Sequence, residues 1–134
     1  MEKKSLFALL MLVCVFSVAS ALSTWSDAYT YELDSSDDWV RTTTQGEWMG
    51  NQKDSDKSVY DVYTVTKTMW SSPKFRVVNS NNAVVADTVT TAGKGRYVTG
   101  GGNTGTIGYA YYGSVKPAWN QSGTDRIKLQ FRVY

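Results

Sequence analysis

The side chains that most often do chemistry are scarce in this sequence, and the plentiful ones are aromatic. There is no histidine, so the commonest general base and the commonest metal ligand are both missing. The single cysteine, Cys14, lies inside an N-terminal apolar run. Downstream of that run there is no thiolate nucleophile, no disulfide and no cysteine metal site. A Ser-His-Asp triad is excluded for want of histidine, and no motif marks a Ser–Lys dyad. Two carboxylates about 5–10 Å apart across a bound sugar can hydrolyse glycosides. After the N-terminal run, however, the glutamates are Glu32 and Glu47 alone, and a domain of this size has little room for a deep cleft. The composition therefore predicts a protein that is not an enzyme and uses no cofactor.

Two motifs invite a stronger claim and fail on chemistry. Residues 100–105, Gly-Gly-Gly-Asn-Thr-Gly, match G-x-G-x-x-G. That fingerprint works only where the loop opens a helix whose amides hold a pyrophosphate. Here a strand-like segment follows, so a mobile or wide β-connection is expected. Acidic residues cluster at Asp34, Asp37 and Asp38 and again at Asp54 and Asp56. Asp54, Asp56 and Ser58 mimic the first ligands of a calcium loop. Val59 then stands where glycine must turn the chain, and Val65 where a bidentate glutamate belongs. Solvated turn residues are the expectation, and no metal site is predicted.

Aromatic residues remain. Tryptophan and tyrosine stack on sugar rings and anchor interfaces at low entropic cost. Trp39 lies in a strand-like segment and is expected to be buried, with other aromatics filling the core. Trp48, Trp70 and Trp119 stand beside Gly, Ser, Pro and Asn, in loop-like contexts. These three are the candidate ligand-binding aromatics. Basic residues at alternate positions (Lys74, Arg76, Arg126, Lys128, Arg132) are expected to blunt strand edges against aggregation, the alternative being that they form one outward basic stripe. Nucleic-acid binding would need a much larger basic excess interleaved with aromatics, and is not expected.

The elements that must position these groups are strands. Residues 126–134 alternate strictly, with Ile127, Leu129, Phe131 and Val133 on one face and Arg126, Lys128, Gln130 and Arg132 on the other. That period means one buried and one wet face. Residues 74–78 alternate likewise, then Asn79, Ser80, Asn81 and Asn82 supply turn chemistry. Residues 83–90 return as the second arm of a hairpin. Further strands are predicted at 28–33, 39–44, 58–66, 96–99 and 106–112. Seven to eight short strands without a helical period point to an all-β fold, an antiparallel β-sandwich or Greek-key barrel.

Charge divides along the chain. Residues 22–61 hold nine acidic against three basic residues, whereas 62–134 hold nine basic against two acidic. The expectation is that the halves neutralise each other in space, the alternative being a segregated basic face. Before these halves comes an address. Glu2, Lys3 and Lys4 precede an apolar run at 6–18, and Ala19-Ser20-Ala21 offers small residues to a signal peptidase. The run is shorter than the roughly 20 residues of a bilayer span. Residues 1–21 are thus predicted to be a signal peptide and 22–134 one secreted domain, with no stable membrane span after cleavage. An exported chain without cysteines has a bacterial character. In a eukaryotic host, Asn120-Gln121-Ser122 would accept a glycan.

The stretch 53–60 (Lys-Asp-Ser-Asp-Lys-Ser-Val-Tyr), followed by a β-rich region and Gly-Tyr strands, resembles small exported β-rich proteins of Gram-positive bacteria. Some of these are similar to proteins encoded near lactococcin-like bacteriocin loci. The resemblance implies a signal peptide and a β-rich fold, and it carries no site residues. The functional expectation is a secreted binding or interaction domain, its partner a cell-wall glycan or another extracellular protein. The alternative is a bacteriocin-like antimicrobial protein or its accessory protein, which growth inhibition or dye leakage would separate from a passive binder.

Overall fold

Alternating burial is the organising feature of the computed structural model, which describes residues 25–41 and 50–134. Its strands are β1 (Tyr29–Asp34), β2 (Val40–Arg41), β3 (Asn51–Gln52), β4 (Tyr60–Lys67), β5 (Lys74–Val78), β6 (Val89–Thr90), β7 (Arg96–Gly100), β8 (Ala110–Lys116) and β9 (Thr124–Val133). They form two antiparallel sheets. The first has the order β1-β9-β4-β7 and the second β2-β8-β5-β6, with β3 also paired to β8. The hairpin β5–β6 stays within the second sheet, while the connections β1–β2, β3–β4, β4–β5, β6–β7, β7–β8 and β8–β9 pass between sheets. This is the expected all-β sandwich. The predicted signal peptide, residues 1–21, lies outside the described residues, among which no helix is long and apolar enough to cross a membrane.

The inner faces meet in one core. Tyr29, Tyr31 and Leu33 of β1, Tyr60 and Val62 of β4, and alternate residues Ile127–Val133 of β9 pack against Phe75 and Val77 of β5 and Tyr111 and Val115 of β8. Each fully buried large side chain contributes about 1.5–3 kcal/mol. Phe75 links the sheets, its ring 5.6 Å from Phe131 and 6.0 Å from Tyr60. Buried tyrosines need partners for their hydroxyls. Tyr60 donates to the Asp87 carbonyl at 2.5 Å, and Tyr31 to the Gly113 carbonyl at 3.4 Å.

Tyrosine and phenylalanine, not the described tryptophans, supply the aromatic core. None of Trp25, Trp39, Trp70 and Trp119 belongs to it, which corrects the expectation for Trp39. That residue stands just before β2, half-buried, with the Arg76 guanidinium 4.0 Å from its ring. A cation–π contact reaching across β8 to Arg76 of β5 engages it outside the core.

The turn after β5 follows its sequence closely. Asn82 takes the left-handed backbone (φ 63°) that asparagine tolerates. The Asn79 side chain accepts hydrogen bonds from the backbone N–H groups of Asn81 and Ala83, both at 2.9 Å. The acidic and basic halves also pair as expected. Arg126 binds Glu32, Arg132 binds Asp61 and Lys116 binds Asp38. In each pair the acid comes from the first half and the base from the second.

Neither expectation for the basic residues holds: β9 lies between β1 and β4 and β5 between β8 and β6, so they guard no sheet edge, and they form no single stripe. Arg126, Lys128 and Arg132 lie on β9 in the first sheet, and Lys74 and Arg76 on β5 in the second. Their inward neighbours share one core, so the two sets face opposite sides of the sandwich. The glycine-rich segment is a wide connection from β7 to β8 and is tied down along its length. Asn103 N–H donates to Ser58, Thr104 N–H to Val85 and Gly108 N–H to Lys53.

Candidate functional site

Where β5, β6 and β8 run side by side, Lys116, Lys74 and Thr90 form one cross-strand row. Their neighbours Phe75 and Val115 are buried in the core, so by alternation the row faces outward. Above it lies a groove of about 790 Å³, with Trp39 and Trp119 among its walls and Thr88, Ser72 and Asn120 adding polar atoms.

The wall carrying Trp119 is a turn anchored at both ends. Pro117 is buried, and Gln121 N–H closes the turn onto the Ala118 carbonyl at 3.1 Å. The buried Gln121 amide donates to the Leu33 carbonyl of β1 at 2.7 Å. Trp119 and Asn120 therefore occupy the two corners of the turn. Trp119 is 97% exposed, so no other part of the described chain covers its ring.

The floor is set by charge. Lys116 Nζ lies 3.1 Å from Asp38. The hydrogen bond from Lys116, then its charge, holds the Asp38 carboxyl below the usual carboxylate range. Arg76 stacks on Trp39, fixing the plane of that indole beside the groove. The arrangement offers aromatic faces, ammonium groups and neutral hydrogen-bonding groups in one place.

The candidate aromatics part company here. Trp119 lines the groove. Trp70 is 83% exposed on the β4–β5 connection but is not part of the groove wall, and Trp48 lies outside the described residues. Trp39, Lys74 and Lys116 are groove residues that sequence reasoning did not bring together. Alternation placed Lys74 facing outward, but no local signal named β8 as its neighbour.

Several other charged groups are engaged in holding the fold. Asp61 accepts hydrogen bonds from Thr99, Tyr134 and both Nε and Nη2 of Arg132. Lys53 is buried, and burial pushes its amine down from the usual lysine range. Its Nζ donates to the carbonyls of Lys57 and Tyr134, a structural role. Asp34 accepts from Ser36 and Thr124, and Asp37 from the Asp34 N–H, so both close a turn. Among the described residues no group of three or more His, Cys, Asp or Glu is placed to hold a metal ion.

The fold and groove together define a β-sandwich with an aromatic, cationic cleft on one outer face. Comparison with known protein families, curated proteins and solved structures finds no match to this chain.

Proposed function

We propose that this is a secreted, non-enzymatic binding domain that holds a cell-surface glycan in the groove between Trp39 and Trp119. One observation carries the proposal: a tryptophan 97% exposed at the corner of an anchored turn, on the lip of a polar groove. Leaving so large an apolar ring in water has a cost that burial against a ligand recovers. Sugar rings present C–H faces for such an indole and hydroxyls for groups like Thr88, Thr90 and Asn120. Anchoring by Gln121 and Pro117 reduces the entropy lost on binding.

Binding of the purified secreted protein to isolated cell walls and to a glycan panel tests the proposal. Trp119→Ala should abolish retention and leave the melting temperature unchanged. Retention unaffected by Trp119→Ala would sink the assignment of the groove. Dye leakage from cells or vesicles would favour the bacteriocin-like alternative over a passive binder. Secretion has its own test, since mass spectrometry of the exported protein should find Leu22 at its N-terminus.

A further inference from the structure

Charges that face each other across paired strands follow a rule in this protein, with one exception. Among the described residues three such register pairs join two charged side chains. Glu32 opposes Arg126, Asp61 opposes Arg132, and Lys74 opposes Lys116. The first two are opposite in sign and closed as ion pairs at 3.0 and 2.8 Å. The third sets two lysines opposite each other in register. Like charges directly opposite destabilise a sheet, and this pair forms the floor of the groove.

The surroundings do not cancel that charge. Asp38 pairs with Lys116, and Lys74 takes part in none of the ion pairs found among the described residues. Arg76, two residues along β5 and stacked on the groove residue Trp39, adds a third cation beside the groove, and its buried Nε has no hydrogen-bond partner. Three cations thus face one carboxylate. The remaining polar wall, Ser72, Thr88, Thr90 and Asn120, is neutral.

We infer that the groove takes an anionic glycan, with a sugar ring against Trp119 and its carboxylate or phosphate held between Lys74 and Lys116. This rests on the reading of the groove as a glycan site and specifies the ligand's charge. A bare polyanion fits less well. The chain's net charge is only +2, far from the basic excess of a nucleic-acid binder, and the hydroxyl-rich wall suits a sugar.

Calorimetric titration of the purified secreted protein distinguishes the possibilities. Probes are tetragalacturonic acid for carboxylate, a glycerol-phosphate wall polymer for phosphate, neutral cellotetraose, and a single-stranded oligonucleotide of matched charge. Anionic glycans should bind at least about tenfold tighter than cellotetraose, and the preference should shrink between about 50 mM and about 500 mM salt. Which anion wins identifies the source. Lys74→Gln with Lys116→Gln should erase the preference with little change in melting temperature, because the repulsion it removes offsets the loss of the exposed Lys116–Asp38 pair. Lys74→Glu should raise the melting temperature, by creating a third opposite-sign pair, and abolish anion binding. Equal affinity for neutral and anionic glycans, unchanged in the double variant, overturns the inference while the glycan groove stands. An oligonucleotide binding as tightly as the anionic glycans also overturns it. Failure of every glycan to bind the folded protein overturns the groove assignment itself.

Discussion

Asp61 is the most demanding test of how the first sheet is held together. Its side chain is 5% exposed and lies on β4 opposite Arg132 of β9, whose guanidinium it binds through Nε at 2.9 Å and Nη2 at 2.8 Å. Thr99 and Tyr134 donate to the same carboxylate at 2.6 and 2.7 Å. The guanidinium is also layered on Trp25 and Tyr134, 4.6 and 4.8 Å from their ring centres. Asp61→Ala removes every one of these acceptors and leaves a cation among aromatic rings. Deleting one partner of a fully buried pair costs about 3–5 kcal/mol, whereas exposed pairs are worth about 0–1. Arg132 keeps 28% exposure, so water repairs part of the loss. The expected cost is about 2–3 kcal/mol, or a fall in melting temperature of roughly 8–15 °C for a domain of this size.

The pH dependence of the same residue has a definite sign. Burial pushes the Asp61 carboxyl up, but hydrogen bonds from Thr99, Tyr134 and Arg132, with the Arg132 charge, outweigh it and hold the group below the usual range. A depressed folded value contributes stability that is complete above the unfolded value of about 3.9 and is lost as pH falls through the folded one. Urea unfolding between pH 7 and pH 2 should therefore show a shallower acid slope in Asp61→Asn than in the wild type. The slope persists in part because Asp34 and Asp38 are lowered too. An Asp61→Ala variant within about 0.5 kcal/mol of wild type, or identical slopes for Asp61→Asn, would refute this reasoning.

Other positions give separate outcomes. At Gly100 an added Cβ would lie 2.2 Å from Tyr60 Cε1. That ring is fixed by Phe75 and by its bond to Asp87, so Gly100→Ala should cost about 3 kcal/mol in urea unfolding, the upper end of the overpacking range. Gln121→Ala removes the amide that ties the Trp119 turn to Leu33. It should lower stability by about 1–2 kcal/mol and weaken glycan binding in calorimetry, although Trp119 itself is still present.

Much of the strand pattern was legible because alternation is local. Residues of β9 declare their buried face one by one, and the Asn79–Asn82 turn carries its own hydrogen-bond acceptors and left-handed residue. Neighbourhood was not legible. Period 2 says which side of a strand is wet but does not name the strand beside it. The basic residues of β5 and β9 could therefore be read as one stripe, and the structure puts them on opposite faces. Trp119 announced itself through its Pro-Ala-Trp-Asn context. Trp39 did not, because its place depends on Arg76, a residue from a different strand. The Lys74–Lys116 opposition likewise exists only once β5 is paired with β8.

The central claim is that the outer groove of the second sheet binds glycan through Trp119. Its most direct test is a paired titration of wild type, Trp119→Ala and Trp70→Ala against the tightest-binding oligosaccharide, with melting curves recorded alongside. All three proteins should melt within about 0.5 kcal/mol of one another, since both tryptophans are exposed. Binding should survive Trp70→Ala and disappear in Trp119→Ala. Loss of binding in Trp70→Ala with Trp119→Ala intact would contradict the groove assignment.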